Sequence, residues 1–329
     1  MPPTLRRSIL FSVALGLLIA VALGLISDIR LVGASFSSFD LGLIPAVIGF
    51  TLLNYALRWL KWDFYLRRMQ MGQGVNLLDS VLLFTSGMVM AVTPAKVGEV
   101  LKSALLKRIN GTPISASAPI VLAERITDGI AMIILMGVGL TLYEPARPAF
   151  VALVVLTIIG LLLLQWRSLV ERILALLARL PLGTRLAPRL AAAYTSSQQL
   201  MAWRLLLGST IISIISWFGE CIAFYFVLRG LGIADNGMLL VTATFIFAAS
   251  TLFGLVSFLP GGLGVSEASS AGLLVLLVPM ELGAATTATI IIRFATLWFG
   301  VALGALALTL FRRRHAPAAV GESPAEVYK

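Results

Sequence analysis

Cysteine and histidine are almost missing from this chain of 329 residues. Cys221 is the sole cysteine, which excludes an intrachain disulfide and a thiolate metal cluster. His315 is the sole histidine and stands in a polar tail, so histidine metal ligands and a histidine general base in the apolar body are excluded too. Charge is scarce: 12% of residues are charged, against about one quarter in soluble domains. With 59% hydrophobic residues and a mean hydropathy of +0.99, the chain cannot cover a water-facing surface. No Walker A motif is visible, which argues against ATP as a direct energy source.

What is present is a series of apolar windows of about 20 residues, the length that crosses a bilayer core. Residues 8–27 and 148–166 are two of them. The net charge is +10, but the basic residues cluster at the ends of apolar runs: Arg6 with Arg7, Arg67 with Arg68, Lys107 with Arg108, and Arg312 to Arg314. Such placement signals membrane topology. It is not a basic stripe interleaved with aromatics, so nucleic acid is not an expected partner. The first apolar run is longer than a signal peptide core, and it reads as an uncleaved helix.

The positive-inside rule orders the walk along the chain. The N-terminus is cytoplasmic. A helix over about 8–27 runs outward, and one over about 41–60 returns to the basic group Lys61, Arg67 and Arg68. Residues 77–92 are apolar but stop at Thr93-Pro94, and Lys107 and Arg108 follow. A full crossing here would put basic residues outside, so the expectation is a re-entrant hairpin broken at Pro94 and Gly98. Broken backbone at depth is tolerated where it lines protein or a wet cavity. Helices over about 114–142 and 148–166 go out and back. Residues 167–204 are basic, with an amphipathic helix at their start that suits the inner membrane surface.

The second half repeats this plan. A helix over about 205–228 runs outward. A second hairpin enters over about 238–259, breaks at Pro260, Gly261, Gly262 and Gly264, and returns over about 268–278. A last helix over about 283–311 ends at Arg312. Glu267 lies 168 positions after Glu99, and Arg293 lies 168 positions after Arg125. The Phe64-Tyr65 and Phe224-Tyr225 pairs lie 160 apart. Two hairpins entering from opposite sides make an inverted repeat, a common transporter plan.

The expected fold is therefore an all-α polytopic membrane protein, with about six full-span helices plus two re-entrant helical hairpins in an inverted repeat. Residues 1–314 form a single transmembrane domain. Repeat one covers about 41–142, the amphipathic linker about 167–204 and repeat two about 205–311. Residues 315–329 form a disordered cytoplasmic tail.

Charges at bilayer depth cost at least roughly 2.5–3.5 kcal/mol each on insertion scales. Lys96, Glu99, Lys102, Glu124, Arg125, Asp128, Glu220, Glu267 and Arg293 lie in or beside the apolar segments. Glu124 and Asp128 share one helix face. The expected ion pairs are Glu99–Arg125 and Glu267–Arg293. Two readings stand together: the pairs pin each hairpin to its long helix, or the cations receive an anionic group such as a lipid phosphate. Arginine offers a planar donor fork for phosphate, and helix starts after Pro94 and Pro260 would add backbone N–H groups. Glu220, beside Cys221, reads as a polar helix–helix contact. Trp59, Trp62, Trp203 and Trp298 read as interface anchors or packing.

The run Thr93-Pro94-Ala95-Lys96-Val97-Gly98-Glu99 with Lys102, then Glu124-Arg125-Ile126-Thr127-Asp128, then Pro260-Gly261-Gly262-Leu263-Gly264-Val265-Ser266-Glu267 with Arg293, resembles the lysylphosphatidylglycerol synthase transmembrane region, a flippase-like family. Asn54 and Arg58 upstream add to the match, which covers about 8–311. The resemblance implies a polytopic protein of the bacterial inner membrane with cytoplasmic termini. In two-domain relatives this region is implicated in moving aminoacylated phosphatidylglycerol between leaflets. Stand-alone members are linked to hopanoid, polyprenyl or glycolipid pathways. The family often has Arg where this chain has Lys96 and Lys102, which removes the planar fork at those positions. Only a short tail follows Phe311, so no aminoacyl-transferase activity is expected.

The expected function is translocation of an anionic or zwitterionic lipid, or a lipid-linked precursor, with no cofactor and no metal. Lys96, Arg125 and Arg293 would engage phosphate. Lys102 would receive the same anionic group. Glu99, Glu124, Asp128 and Glu267 would hold those cations or meet an amine or sugar. The rival expectations are a non-transporting partner of a lipid-pathway enzyme and an intramembrane lipid-modifying transferase.

Overall fold

The computed structural model describes Leu18 and residues 28–93, 98–179 and 183–315. The helix expected over 8–27, the Pro94 break with Lys96, and the tail beyond His315 lie outside the described residues. All regular structure among the described residues is helical: α1 (Ile29–Ser37), α2 (Ile44–Arg68), α3 (Leu77–Met88), α4 (Leu101–Asn110), α5 (Ile114–Val138), α6 (Arg147–Gln165), α7 (Arg167–Leu177), α8 (Gly183–Leu200), α9 (Trp203–Gly230), α10 (Leu239–Val256), α11 (Val265–Leu277), α12 (Leu282–Arg293), a π-helical segment Phe294–Trp298, and α13 (Phe299–Arg314).

The helices are built inside out relative to a soluble protein. On α2 the buried positions include Thr51, Asn54, Arg58, Lys61 and Tyr65, while Leu52, Leu53, Leu60 and Phe64 point outward. The spacing of three and four puts the polar residues on one face. With hydrocarbon outside, that face has to turn toward the other helices. On α6 no residue is fully buried; Phe150, Leu153 and Val154 pack half-buried against the core, and most of the remaining apolar surface faces outward.

Six segments are long and apolar enough to cross a membrane: Leu41–Arg68, Glu144–Gln165, Trp203–Gly230, Leu239–Val256, Pro260–Leu277 and Leu282–Arg314. The protein is a multi-pass membrane protein. This set differs from the one expected from sequence. The arms of the second hairpin are helices of 18 and 13 residues, about 27 and 20 Å; the second reaches 18 residues only with the turn Pro260–Gly262, where Gly261 is non-helical. The arms of the first hairpin have 12 and 10 residues, about 18 and 15 Å, too short for a bilayer core of roughly 30 Å. The entering arm of the second hairpin is thus longer than either arm of the first, while its returning helix is short like theirs. Helix α3 also ends at Met88, before the break expected at Thr93-Pro94, and residues 89–92 form turns.

Two helices that correspond in the expected repeat pack side by side. Helices α2 and α9, which carry the corresponding Phe-Tyr pairs, pack against each other. Asp40 donates its N–H to the Gly230 carbonyl at 2.9 Å. Thr51 donates to Glu220 at 3.2 Å, and the Asn54 amide donates to the Ser216 carbonyl at 3.0 Å. Numbers rise on one helix as they fall on the other, so the two counterparts are antiparallel. Two further pairings interlock the halves: α3 packs on α13, and α10 packs on α5.

Glycine permits both crossings. A Cβ on Gly304 would meet the backbone nitrogen of Val89 and stand 2.9 Å from the Thr85 carbonyl oxygen. A Cβ on Gly139 would stand 2.5 Å from Cβ of Phe245. Backbone cannot swing aside, so Gly304→Ala is expected to cost about 1–3 kcal/mol through overpacking. The measurement is the thermal midpoint in detergent. An unchanged midpoint would mean that α3 and α13 do not approach this closely.

A buried ion network between two hairpins

The first hairpin meets α5 and α2 in a continuous chain of charges. Arg58 lies 3.8 Å from Glu99, and Glu99 lies 3.3 Å from Arg125 and 3.8 Å from Lys102. Lys102 pairs with Glu124 at 2.6 Å. Arg125 reaches Asp128 at 3.1 Å, and Asp128 pairs with Lys61 at 2.6 Å. The reason for the burial is geometric. Glu124, Arg125 and Asp128 occupy adjoining positions of α5, and that helix is enclosed by α2, α4, α9 and α10.

The expected Glu99–Arg125 pair is present, and so is Glu267–Arg293, at 2.6 Å. Both join a hairpin to the long helix that follows it. The second differs in detail. Arg293 also donates to the Gly261 carbonyl at 2.8 Å, and the Gly264 N–H donates to the second oxygen of Glu267 at 2.7 Å. Glu267 thereby occupies the start of α11, the place where a phosphate is expected from the sequence. Gly261, Gly262 and Gly264 adopt φ of 62°, 67° and 87°, which a side chain would strain. A Cβ on Gly262 would also approach Cα of Gly254 to 2.9 Å, so the glycines let the hairpin close on itself. Gly98 acts differently. Its N–H donates to the Thr93 hydroxyl at 2.8 Å, inside a crowded turn against Met90.

Lys61 corrects the helix end expected from the sequence. It resembles a basic residue flanking the end of a helix, yet α2 continues for seven residues beyond it and its side chain is fully buried. It donates to Asp128, to Ser213 at 2.6 Å and to Thr127 at 3.1 Å. Lys102 is similarly enclosed. Its ammonium stands 4.5 Å from the Trp62 ring centre and 5.1 Å from that of Phe84. Its chain passes where a Cβ on Gly87 would sit, 2.5 Å from its Cγ. Trp62 is thus core packing rather than an interface anchor, whereas Trp203 is 69% exposed.

Two cavities adjoin this network. One, of about 70 Å³, reaches from Arg125 and Asp128 on α5 to Gly261, Ser266 and Arg293. The other, also of about 70 Å³, is bordered by Asn54, Arg58, Glu99, Glu220 and Arg293. Trp217, Ser266 and Arg293 border both. Arg125 and Arg293, expected as ligand contacts, both line a cavity. Glu99 and Asp128 do as well. Lys102, Glu124 and Glu267 line neither and instead hold other charges. Arg58, which the sequence marks only as part of a family motif, faces the second cavity.

The arginines keep donor capacity. The Arg125 guanidinium sits within ion-pair distance of Glu99 and Asp128, but its Nε and Nη2 are not aligned for a hydrogen bond among the described residues, nor is the Nε of Arg58. Unmet buried donors are costly, and a phosphate oxygen is the acceptor that a planar guanidinium suits best.

The described residues form an all-helical, multi-pass membrane domain with buried charges and two charged cavities between its helices. Residues 13–304 match the family described as "Lysylphosphatidylglycerol synthase TM region", and the chain belongs to that family. It is also 28% identical over 275 residues to a UPF0104 membrane protein of Methanothermobacter thermautotrophicus, covering 76% of this chain and 78% of that one.

Proposed function

We propose that this protein carries a lipid or lipid-linked precursor between the leaflets of the plasma membrane, with both termini cytoplasmic, and makes or breaks no covalent bond in it. The observation that supports this reading best is the pair of cavities between the two halves, bordered by Arg58, Arg125 and Arg293 and by the carboxylates Glu99, Asp128 and Glu220. The arginines would take the phosphate. The carboxylates would accept hydrogen bonds from an amine or hydroxyl on the same headgroup. Lys96, next to the first hairpin's turn in sequence, would join the arginines. Lys61, Lys102, Glu124 and Glu267 would fix the charges that touch the ligand. The short first hairpin would be the re-entrant element.

The test is headgroup exchange in sealed proteoliposomes. A fluorescent phospholipid is placed in both leaflets, and an impermeant quencher is added outside. The expected result is quenching beyond one leaflet within minutes, compared with a stable plateau near half in protein-free vesicles. A plateau near half across anionic, aminoacylated and polyprenyl probes would reject translocation and favour a role as a non-transporting partner of a lipid-pathway enzyme.

A further inference from the structure

A third space has no charge among its described lining residues. It is an open apolar groove of about 450 Å³ between α2 and the last long helix, with Ile44, Val47 and Ile48 on one wall and Ile290, Phe294 and Phe299 on the other. The same two helices border the charged cavity. On α2 the groove takes residues 44–48 and the charged cavity takes Asn54, Tyr55 and Arg58. On the last helix the groove takes Ile290, Phe294 and Phe299, and the charged cavity takes Arg293, Thr296 and Gly300 from another face.

The two spaces adjoin at Tyr55 and Phe299. The Tyr55 hydroxyl, on the cavity side, donates to the Thr296 carbonyl at 2.8 Å. Its ring stacks on Phe299, on the groove side, at 6.4 Å and 20°. The seam falls at the π segment Phe294–Trp298, which leaves Phe294 64% exposed on the groove while Leu297 is buried beside the charged cavity. Such π turns occur frequently at functional sites.

We propose that this groove binds a hydrocarbon chain of the same lipid whose headgroup enters the charged cavity, with the Tyr55–Phe299 seam as the boundary between chain and headgroup. The inference rests on the headgroup reading above. The dimensions agree. From Ile48 to Arg58 the helix rises about 15 Å, and one leaflet's share of the hydrocarbon core is also about 15 Å. A chain whose far end enters the groove at Ile48 thus has its phosphate end near Arg58. The groove's wholly apolar wall suits a hydrocarbon and no polar occupant.

The experiment compares didecanoyl phosphatidylglycerol and didecanoyl phosphatidylethanolamine with their deacylated glycerophosphodiesters, by calorimetric titration of the full chain in detergent. Wild type is expected to prefer at least one acylated probe by about tenfold or more, the worth of two buried methylenes. Ile48→Trp and Ile290→Trp fill the groove from walls that are already partly exposed. Each is expected to erase that preference while binding the deacylated probe as wild type does. Leu162→Trp, on the outward-facing α6, is expected to keep the preference, and thermal midpoints confirm that each variant is folded. Equal binding of acylated and deacylated probes, or a preference retained in both groove variants, overturns the groove assignment and leaves the headgroup reading standing. Failure of every probe on wild type overturns the headgroup reading and the groove with it.

Discussion

Replacing Lys61 with methionine is expected to destabilise the protein by about 3–5 kcal/mol, the cost of leaving a buried charge without its partner. Lys61 is fully buried and stands 2.6 Å from both Asp128 and Ser213. It joins α2 to α5 and α9 at one point. The variant keeps the length and apolar stem of the side chain, so lost packing contributes little. Without the ammonium, Asp128 retains Arg125 at 3.1 Å but loses its shortest contact. The check is the yield of monodisperse protein and its thermal midpoint in detergent. A second measurement separates a charge effect from a general defect. Lys61→Met combined with Asp128→Leu removes both members, and replacing a buried pair with apolar groups is often close to neutral. Recovery of most of the lost midpoint is the expected outcome. A single variant as stable as wild type would show that Lys61 remains solvated or pairs elsewhere.

Arg293→Gln is expected to slow lipid exchange by about tenfold to a hundredfold, since a hydrogen bond to a charged group is worth about 1.5–3 kcal/mol. Among the described residues, Arg293 is the one charged residue that borders both charged cavities. Its two protein contacts, to Glu267 and Gly261, come from the second hairpin. Glutamine keeps one donor for either contact but loses the charge and the fork. The readout has to distinguish a missing ligand contact from a loosened hairpin. Glu267→Gln supplies that comparison. It removes the pairing charge but leaves a side chain that can still accept from Arg293. If Arg293 acts only through the hairpin, the two variants slow exchange alike. If Arg293 also touches the ligand, Arg293→Gln is the slower by an order of magnitude. Equal rates in Arg293→Gln and wild type would remove this residue from the transport path.

Several features of the site are legible without coordinates. Glu99, Arg125, Glu267 and Arg293 stand in apolar surroundings where a charge needs a partner, and the shared offset of 168 positions links them in pairs. The glycines after Pro260 likewise announce a tight turn. Lys61 is misleading in sequence, because a lysine near the end of an apolar run, with Arg67 and Arg68 following, has the same local pattern as a flanking anchor. Its burial depends on Asp128 and Ser213, which are 67 and 152 positions away. Lys102 resembles a ligand contact for a similar reason. Only packing reveals that Trp62 and Glu124 already enclose it.

Residue order alone determined that the chain is a helical membrane protein, because hydrocarbon length and charge scarcity are properties of that order. It also determined which hairpin would pair with which arginine. The tertiary structure decided which charges border space and which are sealed in. It decided the antiparallel pairing of α2 with α9, and the seam at Tyr55 that separates a charged cavity from an apolar groove. Those outcomes depend on how one helix face meets another across more than a hundred positions, and a pattern read along the chain carries no record of that meeting.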